Sequence, residues 1–183
     1  MPAYPADLTE TWDGAGETLT VRPIRAEDAL ALDAFFHRLT PEDIRLRFFA
    51  AVRELSPALL GRLTRLDYDR DMAFVAVREA TTRIGDGDIV GVARLVHGYS
   101  PGEAEFAVVV QPDVKGHGLG VHLMRRVLEW GWRHGVRRVV GEILTENTPM
   151  LELARFLGFQ FHHLPGEAGI IAAELDAPAL AAA

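Results

Sequence analysis

The stretch from Ala104 to Trp130 constrains this chain most, because its apolar period changes from two to three-and-four within a few residues. Glu105 to Val110 is a short apolar run ending in Val108, Val109 and Val110, the composition of a buried strand. Pro112 has no N–H to donate and ends the ladder. Lys115-Gly116-His117-Gly118-Leu119-Gly120 follows. Leu119, Leu123, Met124, Val127, Leu128 and Gly131 then recur at helical spacing, with His122, Arg125, Arg126, Glu129 and Arg133 on the other face. The spacing predicts strand, glycine-rich loop, helix.

The loop lies just ahead of a helix N-terminus, where several N–H groups lack internal partners and the dipole favours negative charge. Small residues let an anion approach that backbone, so a phosphate or pyrophosphate is the expected guest. The nucleotide-hydrolase run Gly-x-x-x-x-Gly-Lys-Ser/Thr does not occur. Neither does Gly-x-Gly-x-x-Gly after a first strand. What occurs is basic-x-x-Gly-x-Gly after a strand ending in Val-x-Pro.

With 183 residues, 49% of them apolar, the chain suffices for one domain with a full core. A net charge of −7 argues against nucleic acid as a partner and favours a cationic acceptor. The absence of cysteine excludes a disulfide scaffold, a thiolate metal site and a cysteine acyl carrier. No signal peptide or bilayer-spanning apolar run is present, so a cytoplasmic protein with no membrane partner is expected.

Residues 1–16, rich in Pro, Gly and Asp, read as an N-terminal arm. Thr18 to Arg22 alternates as the first strand, and Ala26 to Leu39 carries a helical stripe. Thr40-Pro41-Glu42-Asp43 opens a second helix, and Ser56-Pro57 a short third one. Met72 to Val77 and Ile89 to Val96 read as a hairpin turning over Thr81 to Asp88, through Gly85 and Gly87. After the central unit come a strand over Arg137 to Leu144 and a helix from Asn147 to Leu157, ended by Gly158. Strands over Gln160 to His163 and Gly169 to Leu175 close the chain. One domain over 17–176 is expected, with a fraying tail over 177–183.

Val110 to Gly120 resembles, position by position, the acyl-CoA loop of the GCN5-related N-acetyltransferases (GNAT), with Lys115 where Arg or Gln is usual. The resemblance implies a mixed α/β sheet with helices on both faces and acetyl-CoA as co-substrate. It further implies that the strands Glu105–Val110 and Arg137–Leu144 are parallel neighbours that splay apart, leaving backbone groups for the pantetheine arm. More narrowly, Val21 to Asp28, Leu39 to Asp43, Arg45 to Phe49, Leu66 to Ala73, Ala104 to Val109 and Gly141 to Asn147 resemble the acetyltransferase domain of bacterial protein lysine acetyltransferases. That likeness covers about Leu19 to Phe159. No stretch reads as a cyclic-nucleotide or synthetase module, so the domain is expected to stand alone.

An amine of pKa ~10.4 is neutral about once in 10³ molecules at pH 7, so a base must take its proton. Glu105 is the expected base: it lies in an apolar segment that would favour its neutral form, and it matches the glutamate of the resembled enzymes. Glu103, read as a solvated turn residue, competes for the role. By resemblance, the amides of Val108 and Val110, with Val109 between them, would hold the pantetheine arm and polarise the thioester carbonyl. The loop Lys115, Gly116, His117, Gly118, Leu119 and Gly120 would hold the pyrophosphate, with His117 facing either the phosphates or solvent.

Asn147 reads as an N-cap and, by resemblance, a further cofactor contact. Glu142 and Tyr68 are expected to line the acceptor site, with a buried ion pair the alternative for Glu142 and a structural role the equal alternative for Tyr68; Arg47 of Arg-Phe-Phe reads first as structural, with a part in shaping the acceptor pocket the alternative. The resembled superfamily often places a tyrosine acid where this chain has Ala154, so water protonates the leaving thiolate or it leaves as the anion. His162-His163 lacks a third ligand at fitting spacing, and no metal is expected. Trp130 and Trp132 fall on different sides of their helix, one to pack and one to cover a partner surface.

The expected activity is acetyl transfer to a primary amine, first a lysine side chain of a protein such as an acyl-CoA synthetase. A polyamine, amino acid or aminoglycoside acceptor, and a non-catalytic acyl-CoA-binding module, are the alternatives. A monomer or homodimer is expected.

Overall fold

The computed structural model describes residues 3–79, 87–98 and 100–178. Its strands are β1 (Glu10–Gly14), β2 (Glu17–Pro23), β3 (Met72–Arg78), β4 (Asp88–His97), β5 (Glu103–Val110), β6 (Arg138–Leu144), β7 (Gln160–His163) and β8 (Ile170–Asp176). They form one eight-stranded sheet in the order β1-β2-β3-β4-β5-β6-β8-β7. Every pairing is antiparallel except β5 with β6. The helices are α1 (Ala29–His37), α2 (Pro41–Phe48), α3 (Pro57–Thr64), α4 (Leu119–Arg133) and α5 (Thr148–Phe156). This is the mixed sheet with helices that the sequence implied.

Alternation along β3 builds the two layers. Met72, Phe74 and Ala76 face α4 and α5, where they join Leu123, Met124, Val127 and Ala154. Ala73, Val75 and Val77 face the other way, against Leu32, Phe35 and Phe36 of α1 and the partly buried side chains of α2 and α3. A helix long and apolar enough to cross a membrane does not occur among the described residues.

Several boundaries differ from the sequence reading. The expected arm over 1–16 contains β1, which pairs with β2 from Glu10↔Val21 to Gly14↔Glu17. Its order comes from that partner and from α4: Glu10 accepts from His122 and pairs with Arg126. The single helix expected over Ala26–Leu39 is a 3-10 turn, Ala26–Asp28, followed by α1. There the buried Asp28 carboxylate accepts from both arms of Arg22 and from the Arg25 N–H, which shapes the entry. α2 opens with a reciprocal cap: Thr40 Oγ1 accepts from the Asp43 N–H, and Asp43 accepts from the Thr40 N–H. Most of the expected Thr81–Asp88 turn, including Gly85, and the tail from residue 179 onward lie outside the described residues.

Candidate active site

The parallel pair β5–β6 stays in register only from Glu103↔Arg138 to Glu105↔Val140. Beyond that point β6 continues with β8 alone, and β5 runs on to Val110. Side-chain bulk explains where the strands part. The Phe106 ring lies over Gly141, where an added Cβ would come within 2.4 Å of it. The ring also packs on Phe159, with centroids 4.8 Å apart.

The parting leaves backbone groups without a strand partner. Gln111 N–H donates to Val90 of β4, and Glu103 C=O accepts from Gly98 N–H, so odd-numbered residues of β5 turn their polar groups toward β4. By the period of two, the N–H groups of Val108 and Val110 point into the gap. An extended amide-containing chain fits there as an added strand.

At the far end of this gap lies the glycine-rich loop. Gly116 and Gly118 have φ of +79° and +89°, a left-handed conformation that glycine alone adopts at low cost, and the space beside both is open. Gly118 is the N-cap of α4, and neither a side-chain cap nor an acidic residue occupies the first turn. Leu119 is buried and anchors the helix, while Lys115, Gly116, His117 and Gly118 are exposed. Gly120 sits against α5, its added Cβ 3.1 Å from Leu153. The N–H groups of the first turn therefore face open space, an arrangement that fits a pyrophosphate.

Lys115 has a second commitment: its Nζ donates to Asp43, tying the loop to the N-terminus of α2. Burial works to raise the Asp43 carboxyl, but the bonds from Lys115 and Thr40 outweigh it and hold the group below its ordinary range. This pairing of residues 72 positions apart gives no signal in the sequence.

The acidic residues sort by register. Glu105 pairs with Val140, so Glu105 and Glu142, two residues further along β6, share the face turned toward α1–α3. Both are exposed. The burial expected of Glu105 is thus absent, because the apolar neighbours Ala104 and Phe106 point to the opposite face. Glu103 is not in a turn: it opens β5, half-buried, opposite Arg138. The buried ion pair considered for Glu142 is also absent, since its side chain faces solvent.

Two arginines lie on the Glu105 face. Arg94 of β4 sits opposite Ala107, the residue two beyond Glu105. Arg47 of α2 lines the same cavity as Arg94, together with Phe35, Phe36, Ala107 and Val109. Burial pushes the Arg94 guanidinium down to about 10, and the Arg47 charge adds to the effect. Burial also lowers Arg47, against the pull of Glu105. In the sequence, Arg94 interrupts an otherwise apolar run and Arg47 stands in the Arg-Phe-Phe segment, but nothing there joins the two.

Tyr68 sits elsewhere. Its hydroxyl donates to Ile24 C=O at 2.7 Å, its ring packs edge-on to Tyr4 at 5.9 Å, and it lines a second cavity with Leu8 and Trp130. Asn147 caps α5, accepting from the Met150 N–H at 3.3 Å. Next to it, Glu146 accepts from Arg45 of α2 at 2.5 Å, a bridge from α2 to the start of α5. Ala154, at the position of the superfamily tyrosine, is fully buried. His162 and His163 are exposed. Trp130 is buried and stacks on His134, and Trp132 is half-buried against the same core, so neither stands free.

Known proteins carry the same architecture. The family model described as acetyltransferase (GNAT) family matches residues 35–159. An acetyltransferase of Pseudomonas aeruginosa is 35% identical over 146 residues, which are 79% of this chain and 76% of that protein. The crystal structure of the GNAT domain of S. lividans PAT superposes with a TM-score of 0.83 at 27% identity, covering 96% of this chain and all of that one (100%). A spermidine N-acetyltransferase from Vibrio cholerae, in complex with CoA and spermine, shares the fold with a TM-score of 0.64 at 16% identity, over 86% of this chain and 95% of that one.

Proposed function

The chain belongs to the acetyltransferase (GNAT) family and is an acetyl-CoA-dependent N-acetyltransferase; from that premise we propose that it acetylates a lysine side chain of a protein, with Glu105 as general base. The observation that carries this reading is the position of Glu105, on the last residue pair before β5 and β6 part. A base there stands beside the open strand edge on which the thioester would lie. Its exposure supports a macromolecular acceptor, because a lysine on a folded surface can reach it without entering a closed pocket. The resemblance to bacterial protein lysine acetyltransferases over Leu19 to Phe159 supports the same choice, and a folded acyl-CoA synthetase with a reactive lysine is the first acceptor to try.

Acetyl-CoA supplies an activated acetyl group. The residues suited to holding it are Gly116 to Gly120 at the α4 N-terminus for the pyrophosphate, and the Val108 and Val110 N–H groups for the pantetheine arm. The chain's own chemistry is proton transfer. Glu105 removes the proton of the incoming ammonium, directly or through one water, which offsets the roughly 4–5 kcal/mol needed to deprotonate it at pH 7. The Val108 N–H points into the gap where negative charge gathers on the carbonyl oxygen. Ala154 offers no proton, so the departing sulfur is protonated by water or leaves as the anion.

Replacing Glu105 by Gln should lower turnover by roughly 10²–10⁴-fold at neutral pH, with acetyl-CoA affinity retained and part of the loss recovered at high pH. Wild-type turnover in Glu105→Gln together with an inactive Glu103→Gln would transfer the role to Glu103. Labelled acetyl transfer to intact synthetase, to its lysine-to-alanine variant and to spermidine tests the acceptor: transfer to spermidine with none to any synthetase overturns the protein reading.

A further inference from the structure

A cavity on the Glu105 face of the sheet is lined by two cations and, among the described residues, by no anion. It measures about 40 Å³ and is walled by Phe35, Phe36, Ala107 and Val109, with the side chains of Arg47 and Arg94 lining it. Arg94 is 8% exposed, and one of its donors reaches Leu63 C=O at 3.2 Å. The Arg47 guanidinium lies 4.9 Å from the centre of the Phe48 ring. Among the described residues no carboxylate forms an ion pair with either group. Glu105 acts on Arg47, and Asp71 on Arg94, only from longer range.

This is a costly arrangement for an isolated fold. A guanidinium keeps its proton, so burial cannot be relieved by neutralisation. Arg94 is buried and Arg47 half-buried on the same apolar wall; buried charges are ordinarily paired, and two like charges side by side are the reverse of pairing. Among the described residues the one hydrogen bond from these two forks to protein is that from Arg94 to Leu63 C=O, and none of their other donors is both buried and unpartnered, so they stand open to an incoming anion. The space exceeds that of one water, so it has room for a carboxylate group but not for a whole acceptor. Register ties it to the chemistry: Arg94 opposes Ala107, Val96 opposes Glu105, and all four share one face.

We propose that Arg47 and Arg94 form an anion subsite that takes a carboxylate of the acceptor, placed a few bonds from the amine delivered to Glu105. The inference rests on the reading of Glu105 as the base that marks the acceptor side. The carboxylate comes either from an acidic side chain next to the target lysine or from a free amino acid; both present the same planar anion, which matches a guanidinium fork. The subsite disfavours polyamines, whose second cation would enter a site already holding two.

Binding in the dead-end complex with CoA, where no transfer occurs, tests this by calorimetry. Lysine is compared with cadaverine, which differs only by the carboxylate. A capped peptide with Asp beside its one lysine is compared with the Asn version. At least one carboxylate-bearing member should bind roughly tenfold or more tighter than its counterpart, and which pair responds identifies the source. Arg47→Gln and Arg94→Lys should each reduce that advantage toward parity while CoA still binds. Equal or weaker binding of both carboxylate-bearing members, binding of none of the four, or an advantage that survives both substitutions overturns the proposal; the wild-type comparison decides even if a variant fails to fold. Labelled acetyl transfer is read separately. A carboxylate advantage in binding with no transfer to any amine would sink the proposed activity and leave the subsite standing.

Discussion

Asp43 shows how one side chain serves both the fold and the site. It closes the cap of α2 through the Thr40 N–H and holds Lys115 of the glycine-rich loop. Its folded-state value lies below the ordinary 3.8, since the bonds from Lys115 and Thr40 outweigh burial. A depressed carboxyl contributes stability that is complete above the ordinary value and is lost as pH falls through the folded-state value. Asp43→Asn should therefore lower the melting temperature at pH 7, and the two proteins should converge in strong acid. A gap that stays constant through the acid limb would assign the effect to the cap alone and not to the charge. Half of this was legible in advance. Thr-Pro-Glu-Asp announces a helix start because capping is local, whereas the grip on Lys115 spans 72 positions and follows only from how α2 lies against the loop. The same limit hid the cavity of Arg47 and Arg94, which α2 and β4 help to build, and the bond from the Tyr68 hydroxyl to Ile24 C=O, 44 positions away.

At the scale of elements, β5, the loop and α4 were the most legible part of the chain. The strand period, the two left-handed glycines and the helical stripe lie consecutively, so local chemistry specifies all three. Gly118 should accordingly tolerate no acidic side chain. Its φ of +89° penalises any Cβ, and a carboxylate there would repel the anion the loop is shaped for. In thermal-shift titration, Gly118→Glu should lose the stabilisation that acetyl-CoA gives the wild type by mass action; an undiminished shift would place the pyrophosphate elsewhere. The parting of β5 from β6 depends on a different pair. Gly141 leaves room for the Phe106 ring, and any Cβ would meet that ring at 2.4 Å. Gly141→Val should therefore cost about 1–3 kcal/mol by overpacking, read by denaturant unfolding. Unchanged stability would mean that Phe106 does not hold the strands apart. The sequence indicated the parting only through resemblance, because the contact joins residues on two strands with α4 between them.

The whole molecule departs most from its sequence at the N-terminus. Residues 1–16 are rich in Pro, Gly and Asp, and a reading of local propensity makes them an arm. Their order is borrowed from two distant elements. β2 supplies the ladder partners from Val21 back to Glu17, and α4 supplies His122 and Arg126 to the Glu10 carboxylate. Arg126 also donates to Leu8 C=O and lies over the Phe74 ring at 5.1 Å, which links the segment to the core of the sheet. Leu8 and Trp12 pack on that core as well. Removing residues 1–14 should thus expose the edge of β2 and the apolar surface beneath Trp12 and Leu8. The melting temperature should fall, by roughly 2–4 °C for each kcal/mol lost in a domain of this size. The glycine-rich loop runs into the first turn of α4, which also carries His122, but its left-handed glycines, Gly116 and Gly118, lie ahead of that turn. Acetyl-CoA should therefore still raise the melting temperature of the truncated chain. Loss of cofactor response together with stability would mean that β1 sets the pitch of α4 at its N-terminus, and an unchanged melting temperature would return residues 1–14 to the status of an arm.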